Sequence, residues 1–237
     1  MLAMDAVWLV GLTALIGLSA AAAFFVAGLV PGPLGWGLAV CAGLLTWIAA
    51  TTLIAWLLPR PKPGRHPLMG DASFFLWVFG LVVRRWLDLP PMGLLWRQSN
   101  LARFVVLRAC GAKVRLSTSI SSDAVLLDPN LLVLGPRVVI GSEAVITGHY
   151  MTRDVLMLAA VEIGAGTEIG AQVSIGPGAR IGAGVRVEPR ANIGNDAVIG
   201  DGAVVGFLAT VHPWATVAAG ERVAPHAVVT VKRATRP

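Results

Sequence analysis

The chain has 237 residues, of which 56% are hydrophobic and only 14% are charged, with a formal net charge of +6. This composition excludes an ordinary soluble single domain and indicates that part of the chain meets lipid. The two cysteines, Cys41 and Cys110, lie far apart in the sequence, which excludes a disulfide framework and a cysteine metal motif.

The first 60 residues have the pattern of a transmembrane helical hairpin. Residues 6–59 contain no charged side chain, and two apolar runs, Val7–Val30 and Gly35–Leu58, flank a Pro-Gly-Pro turn. Each run exceeds the roughly 20 residues that span a hydrocarbon core. A cleaved signal peptide is the alternative for the first run, but no basic segment precedes it.

Residues 61–112 form a basic juxtamembrane segment with predicted interfacial helices. Residues 60–115 hold ten Lys or Arg against two Asp, and the chain has no nucleic-acid-binding motif, so we expect anionic lipid headgroups as the partner. The positive-inside rule then places the C-terminal domain on the cytoplasmic side of a bacterial-type inner membrane. The apolar part of residues 72–89 is too short to span, which predicts an amphipathic interfacial helix, continued by residues 93–108. A buried helical subdomain is the alternative.

Residues 113–237 are predicted to form a left-handed parallel β-helix, so the fold is mainly β. An aliphatic residue recurs every six positions, most often followed by glycine, and a small or β-branched residue stands four positions further on. A helix needs a period of 3.6 and a single strand a period of 2.0, whereas a strict six fits short strands that form the sides of stacked coils. The aliphatic positions are Ile163, Ile169, Ile175, Ile181, Val187, Ile193, Ile199, Val205, Val211, Val217, Val223 and Val229.

The repeat is interrupted once. Leu134 and Ile146 are in step with each other, but the strict series resumes only at Ile163, so residues 147–162 are predicted to be an inserted loop. Loops on a rigid frame commonly carry function. This loop contains His149, and histidine is the side chain best suited to accept a proton near neutral pH.

The segments around the interruption resemble a known family. Leu127–Gly135, Ile146–His149 and Val161–Gly164 look like the terminal domain of polylysine-synthetase-type nonribosomal peptide synthetases, and more widely like hexapeptide-repeat acyltransferases. The resemblance covers about residues 100–230. It implies a membrane-anchored homotrimer that transfers an acetyl, acyl or aminoacyl group to an amine or hydroxyl acceptor. It also implies that an acyl-CoA or carrier-protein thioester is the donor substrate and that no cofactor is bound tightly.

The resemblance also assigns roles to residues. His149 would be the general base, with Asp154 or else Glu143 as the acid that orients it, and a backbone N–H near Gly148 would stabilise the oxyanion. The predicted substrate-binding residues are Asp128, Asn130, Gly148, Tyr150 and Arg153, and the predicted donor-binding residues are Phe207, His212 and Trp214.

Several of these residues have a second interpretation. Asp128 and Asn130 either accept a substrate amine or only form a turn. Phe207 and Trp214 either stack on an adenine or cover an interface. His212 stands at a corner position where glycine is usual, which suits a surface role equally.

Two other functions are compatible with a β-helix. A membrane-tethered scaffold is the non-enzymatic alternative, although a scaffold gains nothing from expelling a loop that bears His149. A zinc enzyme needs convergent histidines, but His149, His212 and His226 are 63 and 14 residues apart, so no metal site is predicted.

Overall fold

The computed structural model describes residues 2–231, in which a helical N-terminal region precedes a β-helix. The helical region has five α-helices within these residues, and a short 3₁₀ helix, Pro129–Leu131, lies in the β-helix. The α-helices are α1 (Leu2–Leu29), α2 (Pro33–Leu57), α3 (Ala72–Asp88), α4 (Met92–Gln98) and α5 (Asn100–Ala109).

The first two helices pack side by side as the apolar hairpin that the sequence predicts. Trp8–Leu29 and Pro33–Leu57 are each long and apolar enough to cross a bilayer. Pro33 begins α2, because the fixed φ of proline suits the first turn, where its missing N–H breaks no hydrogen bond. Most large apolar side chains of the hairpin point outward, including Phe24 and Phe25 at 73% and 70% exposure.

Twenty short strands lie within the described residues. They are β1 (Gly64–Pro67), β2 (Ser119–Ile120), β3 (Val125–Leu126), β4 (Leu132–Leu134), β5 (Val139–Ile140), β6 (Val145–Ile146), β7 (His149–Met151), β8 (Val155–Leu158), β9 (Val161–Ile163), β10 (Glu168–Ile169), β11 (Ser174–Ile175), β12 (Arg180–Ile181), β13 (Arg186–Val187), β14 (Asn192–Ile193), β15 (Val198–Ile199), β16 (Val204–Val205), β17 (Thr210–Val211), β18 (Thr216–Val217), β19 (Arg222–Val223) and β20 (Val228–Val229).

Seventeen of these strands form the three parallel sheets of a β-helix of about six turns. The sheet orders are β2-β5-β10-β13-β16-β19, β3-β6-β11-β14-β17-β20 and β4-β9-β12-β15-β18. Successive coils stack in register, so that Ile175 pairs with Ile193 and Ile193 pairs with Val211. The parallel β-helix predicted from the six-residue period is therefore confirmed.

The repeat positions fill the interior as predicted. Ile175 and Ala179, an aliphatic position and its small partner, are both fully buried. Glycine suits the position after an aliphatic residue because adjacent coils approach closely there: a Cβ on Gly135 would lie 2.7 Å from the backbone nitrogen of Ala165 in the next coil. Burial of each aliphatic side chain stabilises the stack by about 1.5–3 kcal/mol.

The interruption is a β-hairpin and not an irregular loop. Strands β7 and β8 pair antiparallel within residues 147–162, and the strict series resumes where Ile163 pairs with Ile181. Strand β1 adds to the other edge of β8, giving a three-stranded sheet β1-β8-β7. The sequence does not predict β1, because it is four residues long and its partner lies about 90 residues away.

Helix α3 connects the two parts of the molecule. Phe74 and Trp77 in its first half pack in one cluster with Leu156 and Leu158 of the inserted hairpin. Trp86 in its second half packs against the apolar hairpin, and its backbone carbonyl accepts a hydrogen bond from Nε1 of Trp47 at 2.9 Å. The predicted helix at 72–89 is present, but it buries much of its apolar surface on protein. Its contact with lipid stays a prediction.

The second predicted amphipathic stretch is two helices. Ser99 separates α4 from α5, and its hydroxyl caps α5 by accepting a hydrogen bond from the backbone N–H of Ala102 at 3.3 Å. Both helices contact α2 near its C-terminal end. Helices α3, α4 and α5 therefore surround the base of the apolar hairpin.

Candidate active site

The stacking of coils places Asp128 under the start of the inserted hairpin. Leu126 of β3 pairs with Ile146 of β6, so the residues two positions later, Asp128 and Gly148, occupy the same corner in adjacent coils. The β-helix therefore fixes the position of the Asp128 carboxylate. Gly148, which stacks on Asp128, immediately precedes the first strand of the hairpin. This register brings His149, the residue after Gly148, against Asp128.

His149 and Asp128 form a close pair. His149 Nδ1 lies 2.6 Å from Oδ2 of Asp128, and the histidine side chain keeps 21% exposure whereas the aspartate is buried at 1%. Because the ionised carboxylate only accepts hydrogen bonds, Nδ1 carries the donated proton. Nε2 then holds the lone pair. Nε2 has no hydrogen-bond partner within residues 2–231.

Asp128 is saturated with donors. Oδ1 accepts from Nε1 of Trp77 at 2.9 Å, and Oδ2 accepts from the backbone N–H of Gly148 at 2.8 Å and from the Thr147 hydroxyl at 3.4 Å, besides His149. Burial works to raise the pKa of the Asp128 carboxyl. The hydrogen bonds and the charge of His149 outweigh burial, so this pKa lies below its usual value.

Trp77 of α3 contacts both His149 and Asp128. Its ring packs edge-on to the His149 imidazole, with ring centroids 4.8 Å apart. The same indole donates to Asp128, so one side chain restrains both members of the pair. The sequence analysis missed Trp77 because nothing in the sequence links α3 to the β-helix corner.

The sequence-based assignment of the partner acid is corrected here. Asp154 is exposed at the tip of the inserted hairpin. Glu143 is exposed and accepts a hydrogen bond from Gln172 at 2.7 Å. Asp128 contacts His149 instead, because coil stacking overrides proximity in the sequence.

Two predicted substrate contacts are also corrected. Asp128 is 2% exposed and all its donors are protein groups, so it does not reach a substrate amine. The backbone N–H of Gly148 donates to Asp128, which removes it from the role of oxyanion donor.

The other predicted substrate residues are dispersed. Tyr150 is half-buried on β7, and Arg153 is exposed at the hairpin tip. Asn130 lies in a small cavity between the base of the apolar hairpin, α3 and the first coils, together with Trp77 and Asp128. We call this the junction cavity.

A groove leads away from the pair along one face of the β-helix. It runs from Thr147 to His212, which stand at equivalent corner positions three coils apart. Its floor bears the outward side chains Ser174, Asn192 and Thr210, which pair in register. We call it the coil groove.

The predicted donor-binding residues are placed separately. His212 lines the coil groove. Trp214 is 64% exposed. It lies on a turn at the same corner of the β-helix as the inserted hairpin, which emerges in an earlier coil. Phe207 lies on a different corner, with its ring centroid 5.8 Å from that of His226. Within residues 2–231, no three His, Cys, Asp or Glu side chains form a group that could hold a metal.

The coils match the family model described as bacterial transferase hexapeptide (six repeats). The match covers residues 160–195 and 173–213, which lie after the inserted hairpin. Among curated protein sequences, none is a significant match to this chain.

Several solved structures are similar to this chain. A hexapeptide transferase family protein from Anaplasma phagocytophilum has 20% identity, a TM-score of 0.28 and coverage of 48% of this chain and 70% of that one. The acetyltransferase domain of PglB from Neisseria gonorrhoeae has 18% identity, a TM-score of 0.32 and coverage of 54% and 58%. A perosamine N-acetyltransferase from Caulobacter crescentus, solved with CoA and GDP-perosamine, has 18% identity, a TM-score of 0.26 and coverage of 56% and 62%. The chain thus spans less than two thirds of the last two.

Proposed function

We propose that the protein is a membrane-anchored acyltransferase in which His149 is the general base. The observation that carries this proposal is the imidazole of His149, hydrogen-bonded through Nδ1 to the buried carboxylate of Asp128 at 2.6 Å and partly exposed. A buried carboxylate that fixes one ring nitrogen leaves the other available to accept a proton.

The pair supports a simple proton cycle. His149 Nε2 takes the proton from a neutral amine or a hydroxyl acceptor as its nitrogen or oxygen attacks the thioester carbonyl carbon. The carbon–sulfur bond then breaks, and the leaving thiolate receives the proton from Nε2. Asp128 stabilises the imidazolium formed in between and holds the ring in one tautomer.

The coil groove suits the thioester donor. It is long and shallow, its floor bears hydroxyl and amide side chains, and its first corner residue is Thr147, two residues before His149. A pantetheine arm needs such hydrogen-bonding groups beside an extended path. We place the acyl end at Thr147 and assign His212 and Trp214 to the far end of the donor. In a homotrimer, a neighbouring subunit would close the open side of the groove.

The acceptor would approach from the membrane side. Trp77 and Asp128 line the junction cavity, whose other walls come from the base of the apolar hairpin and α3. With the hairpin in the bilayer and the basic segment at the cytoplasmic face, this cavity lies at the headgroup level. Confinement to one surface raises the effective concentration of an amphiphilic acceptor.

Thiol release from acyl-CoA tests the proposal. Full-length protein in nanodiscs is incubated with acyl-CoAs of different chain length, with and without amine and hydroxyl acceptors. His149→Gln should lower the rate by about 10²–10⁴-fold, the usual contribution of a general base. Thiol release at the wild-type rate in this variant would show that His149 is not the base. No thiol release from wild type with any donor would favour the scaffold function.

His66→Gln is the matched control. His66 Nδ1 lies 2.7 Å from Oδ2 of Asp71, so this variant also removes a histidine–aspartate pair from the membrane-proximal region. His66 and Asp71 line neither the coil groove nor the junction cavity. The variant should keep most of the activity. An equal loss in both variants would indicate a structural cause.

A further inference from the structure

Three arginines from three helices surround one small cavity. The cavity lies between α3, α4, α5 and the first coil. Arg84, Arg97 and Arg103 line it from the helices, and Ser121 and Ser122 line it from the β-helix. We call it the arginine cavity.

The positive charge of this cavity is not balanced by protein. Asp88 is shared by two of the arginines, since its carboxylate lies 2.6 Å from Nη2 of Arg97 and 3.5 Å from Nε of Arg84. Arg103 pairs with no carboxylate in the described part of the chain; its Nη2 donates to the backbone carbonyl of Arg97. Three guanidinium groups thus face one carboxylate, which leaves an excess of two positive charges.

Several of the guanidinium nitrogens are buried without an acceptor. Arg103 is only 7% exposed, yet its Nε and Nη1 have no hydrogen-bond partner within residues 2–231, and the same holds for Nη1 of Arg84. Burial, with repulsion from Arg97, lowers the pKa of Arg103 below its ordinary value. A buried donor without an acceptor costs free energy, so an anion in this cavity would remove a real penalty.

We propose that the arginine cavity binds a phosphate or diphosphate group. Guanidinium forks match the geometry of phosphate oxygens, and three of them with the Ser122 hydroxyl offer more donors than a carboxylate ligand accepts. The site does not depend on the proposed transferase activity. Arg84 also lines the junction cavity, so the bound group lies next to the space that reaches Asp128.

The phosphate has two possible sources, a lipid headgroup and a soluble anion. The helices that bury the arginines expose Leu94, Leu95 and Leu101 on their outer surfaces. Such surfaces suit the acyl-chain boundary of a bilayer, which favours a lipid headgroup as the source of the phosphate.

Calorimetric titration of the full-length protein in detergent micelles tests this site. The ligands are inorganic diphosphate, dihexanoyl phosphatidate and, as the zwitterionic reference, dihexanoyl phosphatidylcholine. Saturable binding of phosphatidate or diphosphate supports the site and identifies the source. The proposal is overturned if neither binds, or if phosphatidylcholine binds as tightly as phosphatidate.

Three variants locate the binding. Arg84→Gln and Arg103→Gln should each weaken binding by about tenfold or more, the effect of one lost charge-assisted hydrogen bond. Arg85→Gln is the control, because Arg85 is the exposed neighbour of Arg84 and does not line the arginine cavity. Equal weakening in all three would overturn the proposal.

Thermal unfolding without ligand shows whether a variant weakens binding directly or by destabilising the fold. Arg103→Gln removes an unpaired buried charge, so its melting temperature should equal or exceed that of wild type. If this variant does not fold, the binding measurement with Arg84→Gln tests the proposal. Arg84 is less buried, and removal of its charge leaves Arg97 to pair with Asp88.

Discussion

At the scale of single residues, Asp128 has the largest consequence for function. It stands one coil before His149, at the corner position equivalent to Gly148, and contacts the imidazole at 2.6 Å. The sequence holds the signal for this contact, since pairing of Leu126 with Ile146 puts the residues two positions later on one corner. The repeat is less regular in the first coils, however, and proximity in the sequence alone favours Asp154.

Asp128→Asn should reduce kcat/KM by about 10²–10⁴-fold with little change in size. The carboxylate accepts from Trp77, Gly148 and His149, and an amide has one acceptor oxygen for these donors. The imidazole then loses its fixed tautomer. Thiol release at saturating donor measures the effect.

Asp154→Asn provides the comparison for this variant. Asp154 is exposed at the hairpin tip and should tolerate the change. If Asp154→Asn loses the activity and Asp128→Asn keeps it, the orienting acid is the one expected from sequence proximity, and the role given to Asp128 is wrong.

At the scale of elements, the sequence predicts what is periodic. The six-residue period determines the coils and their inward residues from Ile163 onward, and the absence of charge determines α1 and α2. The inserted hairpin and β1 have no repeat, and they pair across about 90 residues. Their conformation depends on contacts that only the assembled fold provides.

Helix α3 is the element that brings the helical region to the site. Trp77→Phe keeps the ring beside His149 but removes the Nε1 donor to Asp128. A hydrogen bond to a charged group contributes about 1.5–3 kcal/mol, so we expect kcat to fall by about 10–150-fold with a smaller change in KM. A changed pH profile of kcat would identify Trp77 as a positioning residue.

Trp86→Phe is a matched control on the same helix. Nε1 of Trp86 is buried and has no hydrogen-bond partner within residues 2–231, so its removal breaks no bond. This variant should keep the wild-type kcat. If both tryptophan variants lose activity equally, the cause is the packing of α3 and not the hydrogen bond to Asp128.

At the scale of the whole molecule, helix α3 and strand β1 are part of the candidate site. Strand β1 extends the sheet of the inserted hairpin, and Trp77 contacts both members of the His149–Asp128 pair. The apolar hairpin, by contrast, lines the junction cavity with Ala55 but makes no hydrogen bond to the His149–Asp128 pair within residues 2–231. A truncation can therefore remove α1 and α2 and still keep β1 and α3.

Two truncations distinguish these roles. A chain of residues 59–237 lacks α1 and α2 but keeps β1 and α3. Removal of α1 and α2 uncovers the buried Val83 and Trp86, which detergent would cover, so this chain should retain thiol release with a soluble acceptor. It should also be released from membranes by alkaline carbonate, whereas the full chain stays, because two apolar spans resist extraction.

A chain of residues 100–237 keeps every coil and His149 but loses Trp77 and β1. Its activity should fall at least as far as that of Trp77→Phe, and equal activity of the two truncations would mean that the helical region contributes nothing to the site.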